Sequence, residues 1–327
     1  MVKVHNAPDI WSIPVELPDN PLRNLNAYVI RTEAGNLVID TGFNRPECRN
    51  ALWAGLNELR LDMNHTALFL THLHSDHVGL VQDFVDMGCT VYMNGIDYDY
   101  FCRSKTGQGW SIMEDVYRKE GFPEDVLLRQ KTENQARKYA PKTVFPVVPV
   151  VDGSKIYLGK LEIQCIHTPG HTPGHTVLYL PETQILFSGD HILFDITPNI
   201  SIWNGIPQSL ADYLQSLQKI RRLPIRMTLP AHRARQEDVY ERIRQLTVHH
   251  QERLQEVLQA VQERPASSAY WVASQISWSM RGKPWTEFPP HQKWFAMGET
   301  LAHLYYLVAA GQVRRMETDG RFYYEAV

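Results

Sequence analysis

The sequence predicts an α+β fold, and three observations carry that expectation. Strand-length apolar segments recur in two runs, across residues 10–93 and 155–229. A stretch rich in aromatic residues, 95–145, separates the runs without strand periodicity. From about residue 236 the composition shifts to helical spacing and ends in a hairpin signal.

Each element follows from local pattern. Residues 10–42 predict strands, with the runs 26–31 and 36–40 flanking the turn signal Glu33-Ala34-Gly35. Residues 46–60 predict a helix, because Ala51, Leu52, Leu56 and Leu59 share one face. Ala67-Leu68-Phe69-Leu70 predicts a buried strand, followed by a short helix near 78–87 and a strand at 89–93. The 95–145 stretch predicts a helical insertion after a strand, a common place for a pocket wall. Strands are expected again at 155–158, 161–166, 176–180 and 185–187, then a helix at 210–221 and a strand at 226–229. Val239, Ile243, Leu246, Leu254, Val257, Leu258 and Val261 trace one face of a long helix. Helices near 267–275 and 292–310 follow, with Gly311 at a C-cap position. The last two strands, 313–317 and 321–325, flank a Thr-Asp-Gly turn. The expected division is residues 1–236 and a winged-helix-like unit at 237–327.

Bulk properties narrow the class. The 327 residues are 43% hydrophobic with a net charge of −3, so neither a nucleic-acid nor a membrane-surface partner is indicated by charge. No uninterrupted apolar run reaches the length of a membrane span, and the N-terminus lacks a signal-peptide pattern. Cys48, Cys89, Cys102 and Cys165 are scattered, which fits reduced thiols and a cytoplasmic location.

The chemistry concentrates at strand ends. Thr71-His72-Leu73-His74-Ser75-Asp76-His77 places four donor side chains in six positions, directly after a buried strand. Three further groups have the same placement: the Thr168–His175 loop with His171 and His175, then Ser188-Gly189-Asp190, then Leu229-Pro230-Ala231-His232. Histidine and carboxylate ligands suit zinc, with manganese or iron as alternatives. A carboxylate can bridge two cations and offset their repulsion. The other histidines, His5, His65, His191, His249, His250, His291 and His303, read as packed or surface residues.

This order of motifs resembles the metallo-β-lactamase superfamily over residues 10–235. The resemblance implies a four-layer αβ/βα sandwich with a dinuclear site at one edge. It implies that His72, His74 and His171 hold one metal ion, that Asp76, His77 and His232 hold the other, and that Asp190 bridges them. His175 is then an outer residue that orients the loop. The implied reaction is hydrolysis by a hydroxide between two divalent ions, most naturally zinc. Asp76 aims that hydroxide.

The bridging position is Asp190 rather than cysteine, which favours thioesterase, lactonase and nuclease relatives over the common zinc β-lactamase pattern. Some lactonase-like relatives carry a tyrosine after Gly-Asp, whereas His191-Ile192-Leu193-Phe194-Asp195 follows here. The C-terminal unit, with Pro284-Trp285-Thr286-Glu287-Phe288-Pro289-Pro290, is similar to the appendage of the lactamase-β-2-like branch, close to glyoxalase II. The leading expectation is cleavage of a small anionic thioester or ester, of the acyl-CoA, glutathione thioester or lactone class. The alternatives are an endoribonuclease or other phosphodiesterase, a mononuclear iron dioxygenase, and a ligand sensor with little turnover. Residues 245–327 hold eight basic and eight acidic residues, which weighs against a nucleic-acid-binding wing despite Arg314, Arg315 and Arg321. Basic residues are denser at 129–142 and 218–244. Arg233 and Arg235 are therefore candidate anion contacts, and Tyr98, Tyr100 and Phe101 candidate apolar wall residues. The C-terminal helices are a candidate homodimer contact.

Overall fold

A computed structural model describes residues 1–233, 237–279 and 282–327. Seven strands form the first sheet in sequential order: β1 Val2–His5, β2 Asp9–Glu16, β3 Asn24–Thr32, β4 Gly35–Ile39, β5 Thr66–Leu70, β6 Thr90–Asn94 and β7 Val148–Val150. The first four strands meander antiparallel, and β4 to β7 run parallel. The parallel connections are helix α1 Pro46–Glu58, the short pair α2 Ser75–Val78 and α3 Val81–Asp86, and a four-helix insertion. That insertion comprises α4 Gly95–Lys105, α5 Gln108–Lys119, α6 Glu124–Glu133 and α7 Gln135–Lys138.

The second sheet has five strands: β8 Lys155–Leu158, β9 Leu161–His167, β10 Thr176–Leu180, β11 Ile185–Gly189 and β12 Met227–Pro230. Only β11 and β12 pair in parallel there, with α8 Ser209–Arg221 between them.

Side-chain alternation sorts these strands into layers. In β3, Tyr28 and Ile30 enter the core between the sheets, while Leu25, Ala27 and Val29 pack outward against the α1 face. In β10, Leu178 and Leu180 face the first sheet, while Val177 and Tyr179 face α8. Both faces are covered, so β4, β10 and β11 are buried at every residue. The result is helix, sheet, sheet, helix. At one edge of this sandwich, β5, β9, β11 and β12 all hand over to loops. The parallel register Gly189↔Pro230 brings Asp190 and His232 out side by side.

The C-terminal part contains α9 Val239–Glu263, α10 Ala269–Gln275, α11 Pro290–Ala309 and the hairpin β13 Val313–Thr318 with β14 Arg321–Ala326. Asp238 caps α9 by accepting from the Tyr240 and Glu241 amides at 2.8 and 3.1 Å. Asp319 and Gly320 turn the hairpin with φ of 51° and 72°, as a two-residue turn requires.

Two local expectations change. The single helix expected at 78–87 is two, broken at Gly79, where an added Cβ would lie 2.4 Å from backbone atoms of Gly42 and Asn44. Strands β1 and β7 were not foreseen, being short edge strands with weak alternation. The C-terminal helices pack against the rest of the fold. Met297, Leu301 and Leu304 of α11 share a core with Tyr117, Phe122 and Leu127 of the insertion and with Tyr213 and Leu217 of α8. Buried Glu120 at the end of α5 accepts from Tyr324 Oη at 2.9 Å, Arg315 Nη2 at 2.8 Å and Tyr305 Oη at 3.3 Å, tying hairpin, insertion and α11 together. Arg314 pairs with Glu325 at 3.2 Å, so both Arg314 and Arg315 of the hairpin have carboxylate partners.

Candidate metal centre

Strand β5 ends at Leu70, and His74 takes the position just before α2 with extended backbone. That tight turn sends His72 and His74 one way and Asp76 and His77, in the first turn of α2, another. His72, His77 and His232 are fully buried, and Asp76, His171 and Asp190 are nearly so.

The donors fall into overlapping groups. His72, His74 and His171 form one, Asp76, His77 and His232 a second, and His72, His77 and Asp190 a third, with ligand atoms in each group within 4.8 Å of one another. In the first group, His74 Nδ1 lies 3.0 Å from both His72 Nε2 and His171 Nε2. Asp190 stands between the groups. Its Oδ2 is 3.6 Å from His171 Nε2, while its Oδ1 is 3.7 Å from His77 Nε2 and 3.4 Å from His232 Nε2.

The far side of each ring is held. His77 Nδ1 pairs with Asp40 Oδ2 at 2.8 Å, His171 Nδ1 with the Asn199 carbonyl at 2.8 Å, and His232 Nδ1 with the Asn24 carbonyl at 2.9 Å. An acceptor opposite Nδ1 fixes the proton there and leaves Nε2 as a lone pair aimed inward. Thr71 Oγ1 donates to Asp40 Oδ2 at 2.8 Å and stands 3.0 Å from His72 Nδ1. His77 Nε2, His232 Nε2 and Asp190 Oδ1 are buried without a hydrogen-bond partner. Buried polar atoms without partners are costly, and a cation among them satisfies all three. The residues present therefore fit metal ions.

Electrostatics agree. Burial, together with its histidine neighbours, holds His72 well below its ordinary value, and burial pushes His74 down to about 3. Both are neutral at physiological pH. Burial also acts on His77, but the carboxylates of Asp40, Asp190 and Asp76 overcome it and raise His77 well above its usual range. His232 is raised likewise, by Asp190 and Asp76 against burial. Burial opposes ionisation of Asp76, yet His77 and His232 bring it down to about 2.

The sequence of residues 21–232 matches the model of the metallo-β-lactamase superfamily. The chain belongs to that superfamily. Residues 254–327 match a second model, the metallo-β-lactamase-like C-terminal domain. A β-lactamase domain protein of Burkholderia ambifaria superposes with a TM-score of 0.85 at 26% identity, covering 99% of this chain and 94% of that one. A β-lactamase-like protein 2 homolog of Caenorhabditis elegans is 28% identical, over 80% of this chain and 74% of its own length. An atrochrysone carboxyl ACP thioesterase of Aspergillus fumigatus is 25% identical over 74% of this chain. The chain spans 61% of that enzyme's length.

Within this superfamily member, the other residues expected near the donor groups have different fates. His175 is buried; its Nδ1 is 2.9 Å from Thr168 Oγ1, and its Nε2 accepts from the Asp190 amide at 3.1 Å. Tyr100 is half-buried and meets Trp203 edge-on at 5.5 Å. Tyr98 donates to the Phe145 carbonyl at 2.5 Å. Phe101 is corrected: it is only 2% exposed and packs at 4.9 Å from Phe145, so it is core rather than pocket wall. An aromatic at helical spacing serves either role, and sequence did not separate them. Arg233 donates to the Pro21 carbonyl at 2.9 Å, and Arg235 lies outside the described residues. The basic bias of the insertion is also spent internally, since Lys131 and Arg137 both pair with Glu114, at 3.1 and 2.5 Å.

Four functional candidates escaped the sequence. Asp40 supports His77 and Asn199 supports His171, as above. Asp97, fully buried at the start of α4, accepts from Leu73 N at 3.0 Å, Thr172 Oγ1 at 2.6 Å and Gly174 N at 2.5 Å. It clamps the His72–His74 turn to the His171 loop. Burial pushes its carboxyl up to about 7 despite these donors. Gly174 permits the contact, because an added Cβ would lie 2.5 Å from Asp97 N. Trp203 stacks on His74 at 6.1 Å and donates to the His171 carbonyl at 3.3 Å. Asp40 stood in a recognisable Asp-Thr-Gly strand end; the other three carry no local signal.

Proposed function

We propose that this protein is a dinuclear metallohydrolase that cleaves a thioester or related ester of a small anionic substrate. The observation that supports this most is the orientation of Asp190, one oxygen toward His171 and the other toward His77 and His232. In this reading His72, His74 and His171 would hold one divalent ion, Asp76, His77 and His232 would hold the other, and Asp190 would serve both, with zinc as the expected metal. Bound ions would supply Lewis acidity toward the substrate carbonyl and make water a nucleophile near neutral pH.

The chain's own residues do the rest. Asp76 is ionised at neutral pH, and its Oδ2 stands 3.4 Å from His232 Nε2, open to accept a hydrogen bond from the attacking water. That bond turns the water's lone pair toward the carbonyl carbon. A carbon–oxygen bond forms between the water and the carbonyl carbon, the carbon–sulfur bond breaks, and the leaving thiolate takes up the proton that the attacking water gives up. Asp40 keeps His77 in place through the reaction, and His175 fixes the backbone beneath Asp190. Trp203 and Tyr100 offer an apolar wall beside His74 for an acyl group.

The similarity to a fungal acyl-carrier thioesterase supports the thioester class, as does an aspartate at the bridging position. No described helix is long and apolar enough to cross a membrane. We place the enzyme in the cytoplasm, with the C-terminal unit as a winged-helix-like support rather than a nucleic-acid reader. Turnover of acyl-CoA, glutathione thioester and lactone panels by metal-loaded protein tests the reading. Cleavage of an RNA oligonucleotide, with steep salt dependence of binding and no thioester turnover, would replace it with the nuclease.

A further inference from the structure

The segment that carries Asn199 and Trp203 lies between the metal centre and helix α11. Its carbonyl at Asn199 holds His171 Nδ1 at 2.8 Å, and the Trp203 indole holds the His171 carbonyl at 3.3 Å. The other side of the segment is fastened to the C-terminal domain. Asn199 Nδ2 donates to Glu299 Oε2 at 3.0 Å and to the Phe295 carbonyl at 3.4 Å, both on α11. Glu299 is 7% exposed, and its other oxygen, Oε1, is 3.7 Å from Arg253 Nε on α9. Arg253 is itself fixed, by Glu256 at 2.9 Å, by the Ser277 carbonyl, and by the Trp278 ring at 4.5 Å.

The helix also comes as close as backbone allows. A Cβ on Gly298 would fall 2.1 Å from Ser201 Oγ and 2.6 Å from Tyr117 Oη. Glycine at this position therefore lets α11 approach both the Ser201 stretch and Tyr117 of α5. Glu299, the next residue, meets Asn199 from the same approach.

We infer that the C-terminal domain positions a metal ligand: Glu299, backed by Arg253, orients His171 through the Asn199 segment. This rests on the metal-binding reading of His72, His74 and His171. Glu299 is a positioning residue, because it touches neither substrate nor ligand atom. A buried carboxylate fixed from one side and bonded to an amide on the other is a stiff spacer. Without it the Asn199 carbonyl is free to shift, and the imidazole it steers loses its aim. The domain would thus contribute to the chemistry through geometry.

The experiment uses the full chain, stripped of metal and titrated with cobalt(II) against a competing chelator, with the cobalt absorption spectrum recorded at each step. Asn199→Ala keeps the carbonyl that meets His171 and removes only the anchor to α11. The expected result is one of two metal equivalents weakened by about tenfold, the lower end of what outer partners of a ligand are worth, with a shifted spectrum. The other equivalent keeps its affinity, and the metal-free melting temperature stays near that of the parent. Glu299→Ala should reproduce the effect, and Glu299→Gln, which retains an acceptor, should recover most of it. Unchanged affinities and spectrum in both Asn199→Ala and Glu299→Ala overturn the inference. Equal weakening of both equivalents also overturns it, because that is general loosening. A parent chain that binds no cobalt at all sinks the metal reading itself.

Discussion

Asp97→Ala removes the acceptor at the junction of two ligand loops, and its cost can be worked from the contacts. Three donors lose their partner: the Leu73 amide, the Gly174 amide and the Thr172 hydroxyl. The hydroxyl can rotate toward another acceptor, but the two amides are fixed by the backbone. Each buried group left unsatisfied costs about 1–3 kcal/mol, so the two amides together should cost the variant roughly 2–6 kcal/mol, reaching the range of severe single substitutions. Urea unfolding of metal-free protein, analysed at constant m-value, measures this directly. The same change should loosen metal held by His72, His74 and His171, because Leu73 and Thr172 adjoin those ligands. Asp97→Asn keeps one acceptor oxygen and should cost less. Its cost also depends on pH. Burial raises Asp97 from 3.8 to about 7, so the folded protein favours the protonated form. Parental stability from this group falls as pH rises between those values and is level above them. Asparagine lacks that dependence, so the gap between the two proteins should narrow as pH rises from 4 to 7. A loss below about 1 kcal/mol for Asp97→Ala, with metal affinity intact, would refute the clamp.

Other expectations follow from the same geometry. Asp190→Ala should lose metal content and nearly all turnover together, read by elemental analysis and hydrolysis rates; retained turnover would remove the bridge. His175→Ala should keep some metal and lose less activity, since its contact is to the Asp190 amide rather than to the centre. His77 and His232 have raised values in the metal-free fold, so metal must displace protons. Loading in weak buffer should therefore release protons, and affinity should rise with pH. Pairing of His77 and Asp40 stabilises the metal-free protein at low pH and is lost as pH climbs through the raised value of His77.

Much of this architecture was legible because period and spacing are local. Strands buried on both faces read as apolar runs, and strand ends are marked by Gly, Pro and Asp, so the seven donors announced themselves at four such ends. What sequence missed is set by distance along the chain. Asn199 lies 100 residues from Glu299 and 28 from His171, and only the fold joins them. Asp97 reads as a helix-start acid until Gly174 is seen 77 positions away beside it. Phe101 and Tyr100 are neighbours in one aromatic helix, yet one is core and the other faces Trp203. The fusion of α11 to the insertion was hidden for the same reason, since each helix shows only its own apolar face.

Metal content per chain, on protein purified without added metal and assayed beside the thioester panel, tests the central claim most directly. Two equivalents with thioester or ester turnover that disappears on chelation is the predicted result. One equivalent of iron with oxygen consumption and no hydrolysis would contradict it.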